Sequence, residues 1–119
     1  KELYRICKNN SIVDIRVPHP RHDDFISDPT HVRPITILGL QLYDKSMNEK
    51  WEKMKAANTP LALIHGVNFT IKDINFVLEK KYIKLLENKE IDQNELQEYI
   101  RKYNNVVKEM KIKWVALKD

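Results

Sequence analysis

Apolar positions recur at alternating steps of four and three near the C-terminus: Leu96, Ile100, Tyr103, Val107, Met110, Trp114 and Leu117. That spacing marks one face of an α-helix. A second set lies just upstream, at Ile71, Ile74, Val77, Leu78, Tyr82, Leu85 and Leu86. Together the two sets predict an antiparallel helical hairpin over 70–118. Thr70, with Asp73 in its first turn, is the expected cap of the first helix, which runs to about Asn88. Asp92, followed three residues on by Glu95, is the expected cap of the second.

The patterns upstream are shorter. Leu3–Cys7 and Ile12–Val17 flank Asn9-Asn10, and asparagine tolerates positive φ, so residues 1–17 read as a β-hairpin. Residues 18–34 hold Pro18, Pro20, Pro29 and Pro34, which interrupt any regular element and define a long loop. Residues 35–69 read as strand, helix, strand. Ile35–Tyr43 is an apolar run with β-branched residues at its start, with a helix as the alternative reading. Ser46-Met47-Asn48-Glu49 fits a capping box ahead of Met47, Trp51 and Met54, and Pro60 stops that helix near Asn58. Leu61–Phe69 is a strand with a kink at Gly66.

The expected fold is therefore α+β, in one domain over 1–119. A small, mostly antiparallel sheet, made of the N-terminal β-hairpin and one or two further strands, is packed by a short helix and the C-terminal helical hairpin. Composition agrees: 42% hydrophobic with 32% charged residues is that of a globular chain. No apolar run approaches the roughly 18 residues of a membrane span, and residues 1–10 have no signal-peptide core. Cys7 is the single cysteine, so no internal disulfide forms, which suits a reducing compartment and a cytoplasmic location. The Asn68-Phe69-Thr70 sequon reads as chance in that setting.

The net charge of +4 hints at an acidic partner, but it is not segregated. Residues 1–60 hold ten Lys/Arg against eight Asp/Glu, and residues 61–119 hold eleven against nine, so each part carries +2. The preference for Lys over Arg, with plentiful Asn and Ile, suits an AT-rich genome, and the size suits a phage or mobile element.

Candidate chemistry gathers in one place. His19, His22, Asp23, Asp24 and His31 fall in the proline-rich loop, which has three of the four histidines. Imidazole and carboxylate suit a divalent metal or acid–base work, yet the spacing matches no zinc signature and no cysteine joins it. His65, in an apolar segment, reads as a locally hydrogen-bonded histidine at a strand end. Ser11, Ser27 and Ser46 stand in no nucleophile elbow. With Gly39 and Gly66 as the only glycines, a glycine-rich phosphate loop is excluded.

The chain is thus expected to be a small non-enzymatic intracellular binding or accessory protein, needing no cofactor and acting through protein contact or self-association. The partner surface is placed at Met110, Trp114 and Leu117. A last helix of roughly 25 residues spans ~37 Å against ~27 Å for the roughly 18 residues before it, so those side chains overhang. The alternative is nucleic-acid binding by Arg101, Lys102, Lys108, Lys111 and Lys118 at the basic end of the same helix. Acidic and basic ends also suit the helix dipole, and Tyr99, Tyr103 and Trp114 fall on the apolar stripe. A third reading is a metal-dependent enzyme using the His/Asp loop.

Overall fold

The computed structural model describes residues 1–118; Asp119, the last residue of the expected domain, lies outside the described residues. In chain order the elements are α1 (Glu2–Ile6), β1 (Ile12–Pro18), α2 (Asp23–Ile26), α3 (Ile37–Gln41), α4 (Lys45–Lys53), α5 (Leu61–His65), β2 (Phe69–Leu78), α6 (Lys80–Glu87), α7 (Gln93–Lys102) and β3 (Val107–Ala116). The fold is α+β, with a three-stranded sheet in the order β1-β3-β2. Both pairings are antiparallel. The Asn10 and His19 amides donate to the Ala116 and Lys108 carbonyls on one side of β3; on the other, the Leu117 amide donates to the Asn68 carbonyl and the Glu79 amide to the Val106 carbonyl.

β3 explains why the sheet forms. Met110, Ile112, Trp114 and Ala116 are buried, while the intervening Lys111 and Lys113 are exposed. A period of two sorts these residues onto two faces. β2 does not keep one alternation, because the adjacent Lys72 and Asp73 are both exposed.

The chain divides into two compact units, and each strand contributes residues to both. Of the described residues, the first holds 1–15, 36–74 and 112–118. Its interior is aromatic. Phe69 stacks on Trp114 with ring centroids 3.9 Å apart, and the edge of Tyr43 meets Trp114 at 5.9 Å. Leu40, Ala62, Val67, Ile112 and Val115 are also buried in this unit. Among them lies a polar side chain, Asn48, only 2% exposed. The second unit holds residues 16–35 and 75–111. There Ile91, Leu96 and Val106 form a buried cluster against which Leu78, Tyr82, Leu85 and Ile100 pack.

Several expected elements take another form. The 1–17 segment is a short helix and an edge strand rather than a β-hairpin. Asn10 does adopt positive φ, at 66°, but the amides around it pair with β3, about a hundred residues away, instead of with residues 3–7. The 35–43 run is not a strand: Thr36 caps α3 by accepting the Gly39 amide at 2.9 Å, which makes the alternative, helical reading the one observed. α4 starts one residue before Ser46, because Asp44 caps it and accepts from the Ser46 and Met47 amides. Over 61–69 the strand begins only at Phe69, and α5 precedes it.

The 70–118 segment departs furthest. Thr70 lies inside β2, so it caps nothing, and the first helix there begins at Lys80. Asp92 caps α7 as expected, accepting from the Glu95 amide at 2.8 Å. That helix then stops at Lys102, Tyr103 is extended, Asn105 takes φ 61°, and the chain returns as β3. The stripe from Leu96 to Leu117 is one helical face only as far as Ile100; beyond Asn105, Val107, Met110 and Trp114 belong to β3 and Leu117 follows it.

Gly66 ends α5 with φ 65° and ψ 40°, a left-handed conformation that glycine adopts without Cβ penalty. A Cβ built there meets nothing within 4 Å, so backbone strain alone decides the outcome. Gly66→Ala is expected to lower unfolding free energy by about 1 kcal/mol, with an unchanged denaturant slope in a urea titration.

Candidate functional site

The first unit carries a groove assembled from four stretches of chain. α1 has only five residues, too few to persist alone. Tyr4 anchors it: its hydroxyl donates to the Leu117 carbonyl at 2.5 Å, and its ring meets the edge of Phe69 at a centroid distance of 5.3 Å. Lys118 closes over the Tyr4 ring at 4.8 Å and donates to the Arg5 carbonyl, while its own amide donates to Asn9 Oδ1. On the opposite wall, Asn68 Oδ1 accepts the Lys45 amide at 3.0 Å and the Asn68 carbonyl accepts the Leu117 amide.

Two concavities result, of about 270 and 620 Å³, and both are lined by Tyr4, Gly66 and Val67. The smaller adds Lys45, Leu63 and Leu117; the larger adds Arg5, His65 and Lys118. The single carboxylate in either lining, Glu2, is already committed to Arg5 at 2.5 Å. That pairing holds the Glu2 carboxyl below the usual carboxylate range. Lys45 and Lys118 have no carboxylate partner among the described residues. The larger concavity is therefore mainly apolar, and the charge along both linings is mainly cationic.

α5 borders this groove and is turned unusually. Ala62 is 1% exposed, whereas Leu63 is 44% and Ile64 61% exposed. Asn48 fixes that orientation. Its Nδ2 donates to the Leu42 carbonyl at 3.0 Å, and its Oδ1 accepts the Ala62 and Leu63 amides at 3.1 and 3.4 Å. Pro60, at the N-cap of α5, offers no side-chain acceptor; Asn48 instead accepts the Leu63 amide from α4 and shares the Ala62 amide with the Leu42 carbonyl.

The His/Asp loop lies in the second unit, and the structure separates its members by role. His22 is 5% exposed and caps α2. Its Nδ1 accepts the Asp24 amide at 3.0 Å, so Nε2 carries the proton and donates to Glu79 Oε1 at 2.5 Å. Both ring nitrogens are thereby engaged. His19 Nδ1 accepts the Arg21 amide, and His31 Nδ1 donates to the Phe25 carbonyl while the ring stacks on Phe25. The Asp23 amide donates to Asn105 Oδ1, and the Asp23 and Asp24 side chains sit in the first turn of α2. Among the described residues no group of three or more histidine, cysteine or acidic side chains is placed to hold a metal ion.

Burial, and then the Arg21 guanidinium and His22, push the His19 imidazole below its ordinary value. A histidine shifted down in the folded state adds stability that is complete above the unfolded value of ~6.5 and is lost as pH falls toward the folded one. The parent protein is expected to lose more stability than His19→Gln between about pH 8 and about pH 5, read from urea unfolding curves at each pH.

The other expected site residues are also redistributed. Met110 and Trp114 are 1% and 7% exposed and lie in β3, so neither overhangs as the end of a helix; Leu117 is half-buried and lines the smaller concavity. The helix end on which that partner surface was placed is a buried strand. The basic residues likewise share no helical face. Arg101 and Lys102 end α7 beside Glu98, at 2.9 and 3.6 Å; Lys108 and Lys111 are exposed on β3; Lys118 covers Tyr4. Tyr4, Lys45, Leu63 and Gly66 were not singled out as functional from the sequence. The available signal was the Leu61–Ile64 run, four apolar residues in a segment long enough for little more than one helical turn, so that some of them face solvent.

Among the described residues no helix is long and apolar enough to cross a membrane. Comparison with known proteins finds no matching family model, no matching curated sequence and no matching solved structure.

Proposed function

We propose that the chain is a non-enzymatic binding or accessory protein that acts through protein contact, with the α5 side of the first unit as its docking face. The observation that carries this reading is the outward pair Leu63 and Ile64, 44% and 61% exposed, next to a groove whose larger concavity is mainly apolar. Asn48 holds that pair outward at the cost of a buried polar side chain. Exposed aliphatics set beside a concavity favour a partner that covers them. Covering one such side chain contributes roughly 1.5–3 kcal/mol. The groove's own polar groups are bonded to one another: Tyr4 to Leu117, Asn68 to Lys45. That arrangement supports binding rather than acid–base or nucleophilic chemistry.

A photo-crosslinking residue at Ile64 tests it, with one at Met54, 66% exposed on the same unit, as the control. The expected result in the native host is a discrete protein adduct, or a second copy of this chain, from position 64 and not from 54, lost on Leu63→Asp. Adducts of equal pattern from both positions, or from neither, would overturn the assignment.

A further inference from the structure

We infer that the occupant of the first unit's groove is an acidic peptide segment of a partner protein, one with carboxylates next to aliphatic side chains. The inference rests on the protein-contact reading and makes its ligand specific. Three observations lead to it.

The first is charge. Lys45, Arg5 and Lys118 line the two concavities, and the one carboxylate present, Glu2, is used by Arg5. The chain as a whole is close to balanced, with 21 basic against 17 acidic residues. Counting Lys1, the linings hold four basic residues against that one carboxylate, so the excess of positive charge is local and is complementary to carboxylates.

The second is the floor. Val67, Gly66 and Leu63 offer aliphatic or bare backbone surface, and Leu63 and Ile64 extend it outward. Carboxylates alone would gain nothing from this surface, whereas a peptide that alternates acidic and aliphatic residues uses both.

The third separates a peptide from a nucleic acid, the other polyanion. Binding of single strands relies on aromatic faces free to stack on bases. The two rings that line the groove are already in use. Tyr4 is covered by Lys118 at 4.8 Å, and His65 stacks on Tyr43 with centroids 6.5 Å apart. The guanidinium of Arg5 is held by Glu2 Oε1 and Oε2. What stays available is ammonium charge and aliphatic surface.

The test is selection from a random peptide display library against the full chain at low salt, followed by binding of the selected peptides in solution. Selected peptides are expected to be enriched in Asp and Glu beside Leu, Ile or Val. Their affinity is expected to fall at least tenfold for the Lys45→Glu, Lys118→Glu double variant, and to fall with added salt. Lys45→Gln, an exposed single change, should weaken binding severalfold with an unchanged urea midpoint; it keeps the test meaningful if the double variant unfolds. Enrichment of neutral apolar peptides, or binding indifferent to both charge variants, overturns the acidic ligand while leaving protein contact standing. An oligo-dT strand that displaces the selected peptides from the groove at matching concentration assigns the site to nucleic acid and overturns it as well. Failure to select any peptide also overturns it, whereas loss of the position-64 adduct overturns the broader reading.

Discussion

Trp114→Ala is expected to be the most destabilising single substitution in the first unit, lowering unfolding free energy by about 3–5 kcal/mol. Trp114 is 7% exposed and central to three rings, stacked on Phe69 at 3.9 Å and met by the edge of Tyr43 at 5.9 Å. Truncation removes the largest apolar surface in that interior and leaves a cavity that the flanking rings cannot fill, since Phe69 also carries Tyr4. Tyr4 in turn anchors α1 through the Leu117 carbonyl, so the loss propagates to the groove wall. The indole adds a second test. Its Nε1 is buried and has no hydrogen-bond partner among the described residues. A buried donor left without an acceptor costs roughly 1–3 kcal/mol. Trp114→Phe keeps a ring on Phe69 and removes that donor, so its net cost is expected to stay under ~1.5 kcal/mol. Denaturant unfolding of the parent and both variants checks the order. Equal losses for alanine and phenylalanine would show that ring stacking does not hold this interior together.

The same residue shows what the sequence could and could not convey. Val107, Met110, Trp114 and Leu117 satisfy helical spacing, while Met110, Ile112 and Trp114 alternate with Glu109, Lys111 and Lys113 and satisfy a strand equally well. The local pattern is degenerate. The choice is made by the Asn104-Asn105 break, with Asn105 at φ 61°, and by hydrogen bonds that join β3 to chain as distant as Asn10 on the β1 side and Asn68 on the β2 side. Local chemistry was legible at some element ends and not at others, where Asp44 rather than Ser46 caps α4 and Thr70 lies in a strand. Asp92 caps α7, Asn10 takes a positive φ, and the prolines keep regular elements short between Pro18 and Pro34. The α+β class and antiparallel sheet followed from the balance of patterns even though individual segments exchanged roles. The groove was not legible, because Tyr4, Lys45, Gly66 and Lys118 come together only through the sheet pairing of residues 10–11 and 68 with residues 116–117.

Asn48→Ala is expected to cost about 2–4 kcal/mol, although Asn48 lies outside the groove. Both ends of its amide are used: Nδ2 on the Leu42 carbonyl, Oδ1 on the first amides of α5. Alanine leaves the Leu63 amide without its acceptor in a site only 2% exposed, removes one of the two donors to the Leu42 carbonyl, and opens a small void. The Ala62 amide retains the Leu42 carbonyl, at 3.1 Å, so α5 loosens at its start rather than detaching. Asn48→Asp discriminates the cause. It can accept the α5 amides but cannot donate to Leu42, and it buries a charge; it is therefore expected to cost at least as much as alanine near neutral pH. The consequence for binding follows from placement. Leu63 and Ile64 face solvent because their helix is fixed at its first turn from α4, so a protein lacking the Asn48 amide presents the same residues in a less defined orientation. Amide hydrogen exchange should report faster exchange at Leu63 and Ile64, and any partner that uses this face should dissociate faster from Asn48→Ala than from the parent. Unchanged exchange at Leu63 with intact partner binding would mean that α5 is oriented by packing of Ala62 and Val67 alone, and that Asn48 contributes only to stability.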